Sequence, residues 1–391
     1  MHLPGPYAPD KVVSFPPKAS GMNKNKRRHP IRLLLRGIGA LAGLFALYVI
    51  GAIVHATVTD YRPPETEALP PVRSVPPAPI ADSTLRFLIW NIGYGGLGAH
   101  SDFFYEDEGS LVSGDSDIRP PKDTAAAYLS GIRQLIRTHP ADFYLLQEVD
   151  RDSKRSWHRD QLEAIADVLP DYHADYAANY RVKRVPLPVL EPWHVYGKVE
   201  GGLATFSRYE PDVATRIQLP GNYGWPKRVF QLDRCVAYHE YPTVSGRKLI
   251  VMNIHNSAFD KGGKLKKQQL AYIRALAQKA YADGQNYVVI GGDWNQNPPY
   301  FRPNAYAGTY VVRTAIPIPD DSFPADWRWI FDATTPTNRS TVDPYVPGQT
   351  PVTTIDFFLI SPNVRATGIR TIPTHFAWSD HQPVLMTVKL E

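Results

Sequence analysis

The sequence predicts an α/β domain of two packed sheets with helices outside, preceded by one apolar N-terminal helix. Three observations carry this. Eight apolar, β-rich runs lie over 85–92, 142–149, 201–207, 234–241, 248–256, 287–293, 354–360 and 383–390. Only three stretches, 124–138, 159–168 and 263–282, have helical periodicity. So many strands against so few helices point to two stacked sheets rather than a doubly wound parallel sheet. Finally, 37–54 is one unbroken apolar run.

Taken from the N-terminus, 1–36 is a Pro-rich basic tail and reads as disordered. The apolar run that follows is long enough for one membrane helix, placed over 37–58. A signal peptide is the competing reading, with 24–36 as its n-region and small residues at Ala52 and Ala56. The run is long for such a region, so an uncleaved anchor is expected. Lys24, Lys26, Arg27, Arg28, Arg32 and Arg36 precede it, and no Lys or Arg lies in 54–60. The positive-inside rule puts the N-terminus in the cytoplasm and the rest outside. Residues 59–83 hold seven prolines and read as a stiff, extended linker. One α/β domain is expected over 84–391. In its last helical stretch, Leu265, Ile273, Leu276, Ala277 and Ala280 form the apolar stripe, with Lys264, Lys266, Lys267, Gln268 and Arg274 largely elsewhere.

The charge belongs to the tail. Residues 1–60 carry eight Lys and Arg against Asp10 and Asp60, so they hold +6 of the chain's net +5 and leave about −1 for the remainder. Bulk composition therefore gives no DNA-coating surface. The single cysteine, Cys235, excludes an intrachain disulfide and a Cys-based zinc site, and its strand-like surroundings make it a core thiol.

Five polar strings end the apolar runs: Trp90-Asn91, Gln147-Glu148, Asn253-Ile254-His255-Asn256, Asp293-Trp294-Asn295 and Ser379-Asp380-His381. Each has a bland alternative. Asn91 before Gly93 is a common turn former. Glu148 could be an ordinary salt-bridge acid, though a carboxylate after apolar residues needs a partner or cation. Asn253 and His255 share one strand face, where a lone His would be a satisfied core residue. Asp293 and Asn295 after two glycines could make an Asx turn. Asp380-His381 is weak alone, as is Asp356 within the run 354–360. A fold that gathers all of them at one sheet edge holds oxygen ligands, amides and imidazoles together. Those are the parts for metal-assisted attack of water on a phosphate ester.

In this order the strings resemble the endonuclease/exonuclease/phosphatase superfamily, which includes DNase I-like nucleases, inositol polyphosphate phosphatases and bacterial sphingomyelinases. The resemblance covers about 84–391 and includes Gly202 to Arg208. It implies a four-layer α/β/β/α sandwich (DNase I-like). It also implies roles: Glu148, Asn91 and Asp380 at a metal, His381 oriented by Asp356 as general base, and Asp293 and Asn295 positioning the nucleophile and a phosphate oxygen. His255 would stabilise phosphoryl oxygens or protonate the leaving group. Mg²⁺ suits the oxygen ligands, with Mn²⁺ or Ca²⁺ as alternatives.

Two segments depart from familiar members. The insert 93–121 is acidic and aromatic, holding Asp102, Phe103, Phe104, Tyr105, Glu106, Asp107, Glu108, Asp115 and Asp117. At a cleft rim it would repel a polyanion; otherwise it is a solvated loop. Segments 181–192 and 222–228 place Arg181, Lys183, Arg184, Lys227 and Arg228 near Tyr180, Trp193, Tyr223 and Trp225. With Asn253, the residues Arg184, Lys227 and Arg228 are expected to bind substrate.

The expectation is a membrane-tethered, Mg²⁺-dependent phosphoesterase acting on a phosphodiester, lipid headgroups included, without an obligate protein partner. An extracytoplasmic nuclease with the same site is the alternative. A non-catalytic binding module predicts missing site residues, and none of the main ones is missing.

Overall fold

The computed structural model describes residues 1, 2, 5, 10, 12–15, 30–106, 111–302, 306 and 309–391. Most of the basic tail, including Lys11, Lys18, Lys24, Lys26, Arg27 and Arg28, lies outside the described residues, as do Asp107 and Glu108 of the insert.

The elements run α1 (Pro30–Val58), β1 (Thr66–Ala68), β2 (Thr84–Asn91), α2 (Lys122–Thr138), β3 (Phe143–Asp150), α3 (Gln161–Ala166), β4 (His173–Val185) and β5 (Gly197–Ser207). They continue β6 (Val213–Gln218), β7 (Cys235–Pro242), β8 (Lys248–His255), α4 (Lys264–Ala282), β9 (Tyr287–Asp293), β10 (Val311–Val312), β11 (Arg328–Ile330) and β12 (Asn338–Arg339). Last come β13 (Pro351–Thr353), β14 (Asp356–Ile360), β15 (Val364–Thr371) and β16 (Val384–Leu390).

The chain divides into two units, 1–50 and 51–391. In the first, the described residues are chiefly the start of α1. Residues Ile31–Val58 of that helix are long and apolar enough to cross a membrane. It begins before residue 37, because Ile31 and Leu33 to Leu35 are also apolar and Arg32 and Arg36 do not break helical propensity.

The second unit holds two large sheets, ordered β1-β6-β7-β8-β9-β14-β11 and β15-β16-β2-β3-β5-β4. Their facing sides share one core, with Phe87 and Ile89, Phe143 and Leu145, Val251, Val289, Phe358 and Met386 all fully buried. Behind the first sheet, α4 packs Leu270, Ile273 and Ala277 on Ile250, Met252 and Ile290. Behind the second, α2 and α3 pack Ile132, Ile136, Leu162 and Ile165 on Leu88, Trp90 and Leu146. Helix, sheet, sheet, helix is the four-layer α/β/β/α arrangement expected.

The stretch 59–83 is not a free spacer. β1 pairs antiparallel with β6, Arg73 bridges Ala174, and Leu69 and Ile80 are buried. Prolines tolerate this because the segment runs along a sheet edge, where a missing N–H need not break a ladder. Lys266 also departs from its expected polar face, at 6% exposure.

Candidate active site

Topology gathers the polar strings. β2 and β3 are parallel neighbours, as are β8 and β9, so their C-terminal ends lie at one edge of each sheet. β14 runs antiparallel to β9 and β16 to β2, so both begin at that same edge. Asn91, His255 and Asp293 are therefore the last residues of their strands, and Asp356 the first of its own. Register sets His255 and Asp356 on either side of Asp293.

Local backbone aims the side chains. The β3–β5 ladder breaks between Leu146 and Val149, and Glu148 takes a left-handed φ of 54° in that bulge. Bulges re-aim side chains next to active sites, and non-glycine residues held left-handed are characteristic of such sites. Asn295 has φ 52°. At Gly292, with φ 144°, a Cβ would lie 2.1 Å from the Ile254 carbonyl, so only glycine permits this approach.

The converged atoms form one network. His381 Nδ1 is 2.8 Å from Asp356 Oδ2, and its Nε2 lies 3.8 Å from both Asp293 Oδ2 and Asp380 Oδ2. His255 Nε2 lies 3.4 Å from Asp293 Oδ2 and 4.0 Å from Glu148 Oε1. Asn91 Nδ2 donates to Glu148 Oε1 at 3.2 Å and to Asp293 Oδ2 at 3.1 Å. Asn295 donates its backbone N–H to Asp293 Oδ1 at 2.8 Å. Asp293, Asp356 and His381 each present a ligand atom within 4.8 Å of the others, a group able to hold a metal ion. Glu148, His255, Asp293, Asn295, Asp380 and His381 line one cleft of about 330 Å³, with aromatic residues on its other walls.

Crowding of acids shapes the electrostatics. Burial raises Asp380 to about 6, opposed by His381 and reinforced by the Glu148 charge. Burial also raises Asp293, with Asp356 adding to it. For His381, burial acts downward but is outweighed by Asp356 and Asp380, and the ring is pushed up to about 10. His255 goes the other way, well below its usual value, through burial and the positive charge of Arg234.

Four expected substrate contacts are not part of the cleft wall. Asn253 is fully buried between the sheets, and both ends of its amide are bonded there. Arg184, Lys227 and Arg228 do not line the cleft. Arg184 donates to the Pro192 carbonyl, Lys227 sits over the Tyr223 ring, and Arg228 pairs with Asp60. Loop direction decides this, and sequence proximity to aromatic residues does not reveal it.

The cations that do line the cleft are Arg155, Arg234, Lys266, Arg313 and Arg339. Lys266 Nζ donates to the Asn295 carbonyl at 2.8 Å. Arg155 is held by Asp150 at 2.8 Å and over the Tyr94 ring at 3.9 Å. Asn338 is a further unforeseen member: its Oδ1 accepts from Arg313 Nη2 at 2.6 Å, which turns Nδ2 onto His381 Nε2 at 3.0 Å. The insert supplies Phe103, Phe104, Tyr105 and Glu106 to the cleft, and Glu106 is paired with Arg313 at 2.9 Å.

No curated protein matches the chain. Among solved structures, an endonuclease/exonuclease/phosphatase from Beutenbergia cavernae DSM 12333 is 17% identical, with TM-score 0.49, over 78% of this chain and 72% of that one. ANGEL2, described as a 2',3'-cyclic phosphatase, is 14% identical with TM-score 0.51, over 79% of this chain and 95% of its own, a likeness of fold. TDP2 from Caenorhabditis elegans is 13% identical with TM-score 0.47, over 78% and 74%. The model of the Endonuclease/Exonuclease/phosphatase family matches residues 88–381, and that family is generally divalent-metal dependent. By that match, which runs from the middle of β2 to His381, the chain belongs to the endonuclease/exonuclease/phosphatase family and is a phosphoric ester hydrolase.

Proposed function

We propose that this chain is a membrane-tethered, Mg²⁺-dependent phosphodiesterase whose catalytic domain, over 84–391, works outside the cytoplasm. The observation that carries the chemistry is the His381–Asp356 pair at 2.8 Å, set beside Asp293 and Asp380. Asp356 holds the Nδ1 proton, which leaves Nε2 to take a proton from the attacking water. Asp293 and Asn295 position that water and one phosphate oxygen. Arg234 and Lys266 face the phosphoryl oxygens. His255, kept neutral by burial beside Arg234, donates a hydrogen bond rather than a full proton.

Glu148, Asp380 and Asn91 fit a hard cation. The two carboxylates are oxygen donors, Asp380 is raised partly by the unneutralised charge of Glu148, and Asn91, whose Nδ2 faces Glu148 here, would join them through its amide oxygen. A bound Mg²⁺ would supply charge stabilisation to the phosphate oxygens. Positive charge there would also oppose the upward pull of Asp380 on His381.

The tether is the apolar span Ile31–Val58, with the basic tail before it in the cytoplasm by the positive-inside rule. Its nearness favours a phosphodiester of a lipid headgroup. A nuclease with the same site is the other reading, and the assay separates the two. Supercoiled DNA, phospholipid vesicles, inositol phosphates and bis(p-nitrophenyl) phosphate are offered to the wild type and to His381→Ala. Headgroup release is expected, lost in EDTA, restored by Mg²⁺, and reduced by roughly 10²–10⁴ in His381→Ala. Plasmid nicking without headgroup release would select the nuclease reading. Activity that survives both EDTA and His381→Ala would overturn the mechanism.

A further inference from the structure

We infer that the two loops at the cleft mouth, 186–194 and 221–231, form a surface that rests on the bilayer and opens the cleft onto its headgroups. The inference rests on the membrane-tethered reading above and adds where the membrane lies against the catalytic unit.

The end of α1 is bonded to one of these loops. Its last turns, from Gly51, belong to the second unit, and Ala56 is buried there at 4% exposure. Trp225 Nε1 donates to Thr57 Oγ1 at 3.1 Å, and Arg228 pairs with Asp60 at 3.5 Å. Arg181, from β4, lies 4.7 Å over the ring of Tyr61. The same loop lines the cleft through Gly221, Asn222, Tyr223 and Phe230. One short segment thus touches both the C-terminal end of α1 and the mouth of the active site. No slack separates them, because the chain after Tyr61 is laid into the sheet by β1.

The outward faces of the loops carry the side chains an interface selects. Trp193 is 80% exposed and Trp225 61%. Leu190 and Leu111 are also exposed, and their backbones are joined by a hydrogen bond of 2.9 Å. Apolar residues at this exposure mark interaction sites when they cluster, and tryptophan is favoured where one end of a ring is wet and the other dry. Lys183 and Arg184, both exposed, flank them with charge complementary to anionic headgroups. Aromatic and basic residues together beside a spanning helix are the composition of a membrane-interface belt.

The experiment uses the full chain reconstituted into vesicles of phosphatidylcholine and phosphatidylglycerol in equal parts, with and without brominated acyl chains. The span contains no Trp, so quenching by bromine reports on the domain. Quenching is expected in the wild type and lost in Trp193→Phe/Trp225→Phe. That variant should hydrolyse a vesicle-borne phosphodiester about tenfold more slowly, with bis(p-nitrophenyl) phosphate turnover unchanged. Lys183→Glu/Arg184→Glu should weaken quenching with phosphatidylglycerol present and leave it unchanged in pure phosphatidylcholine. Quenching that is absent, or equal in wild type and double Trp variant, overturns the inference while leaving the chemistry intact. Quenching without turnover of any phosphodiester supports the surface and counts against the function proposed above. Protein that does not float with vesicles ends the tether and, with it, this surface.

Discussion

Replacing Asn253 with leucine separates a substrate contact from a structural clamp. The side chain is fully buried, with Oδ1 accepting from Gln147 Nε2 at 2.7 Å. Its Nδ2 donates to the carbonyls of Leu146 at 3.2 Å and Ala204 at 3.1 Å. Leu146 and Ala204 are the last paired residues before the β3–β5 bulge, so the amide satisfies carbonyls beside the opened ladder. Leucine keeps the volume but gives those two carbonyls nothing from residue 253. At about 1–3 kcal/mol for each buried group left unsatisfied, the loss is about 2–6 kcal/mol, against about 5–15 for a whole domain. Urea unfolding in detergent, followed by Trp fluorescence, should show a midpoint lower by about 1 M or more. Below the transition, KM for bis(p-nitrophenyl) phosphate should be little changed. An unchanged midpoint with a raised KM would mean Asn253 touches substrate, and the clamp account would be refuted.

Three further outcomes are expected. Arg155→Met leaves Asp150, fully buried and 2.8 Å from its partner, without a counter-charge, and should destabilise by about 3–5 kcal/mol in the same assay; Asp150→Asn in that background should recover part of it. On β4, His173 binds Asp175 of the same strand and Glu210, and these outweigh burial to raise it above 6.5, while Asp175, where burial is outweighed by His239 from the facing sheet and by His173, is lowered below 3.8. The His173 contribution is then complete below 6.5 and lost as pH rises through the higher folded value; that of Asp175 is present above 3.8 and lost as pH falls. His173→Gln should cost about 1.5–3 kcal/mol at pH 6 and less at pH 9, and an equal loss at both would sink this assignment.

The central strands and the site residues at their ends were legible in the sequence because burial on both faces leaves continuous apolar runs, and a polar residue that stops such a run stands out. Edge and near-edge strands did not show. β4 and β15 carry exposed Arg and Lys or Thr between apolar residues, and β6 buries Arg216, so their pattern is diluted. The linker failed for a related reason, since prolines mark extended chain without saying whether a sheet edge lies beside it. Period-two alternation placed Asn253 and His255 on one face correctly, yet face is not depth. Two residues of strand are about 6.6 Å, enough to put one amide inside the sheet interface and the imidazole in the cleft. Arg155, Arg234, Arg313 and Asn338 come from turns, strand starts and minor strands, where no periodic signal marks direction. Lys266 was hidden by its helix, whose stripe assigns it outward although the first turn borders the cleft.

Glu148 gives folding and function opposite interests. A side chain held at φ 54° raises the energy of the native state by about 1–3 kcal/mol relative to glycine there. Glu148→Gly should therefore melt at a higher temperature than Glu148→Ala while both are inactive; equal melting would remove the strain argument. Any screen for heat resistance alone would then be drawn to this position and would return sturdy, dead enzyme.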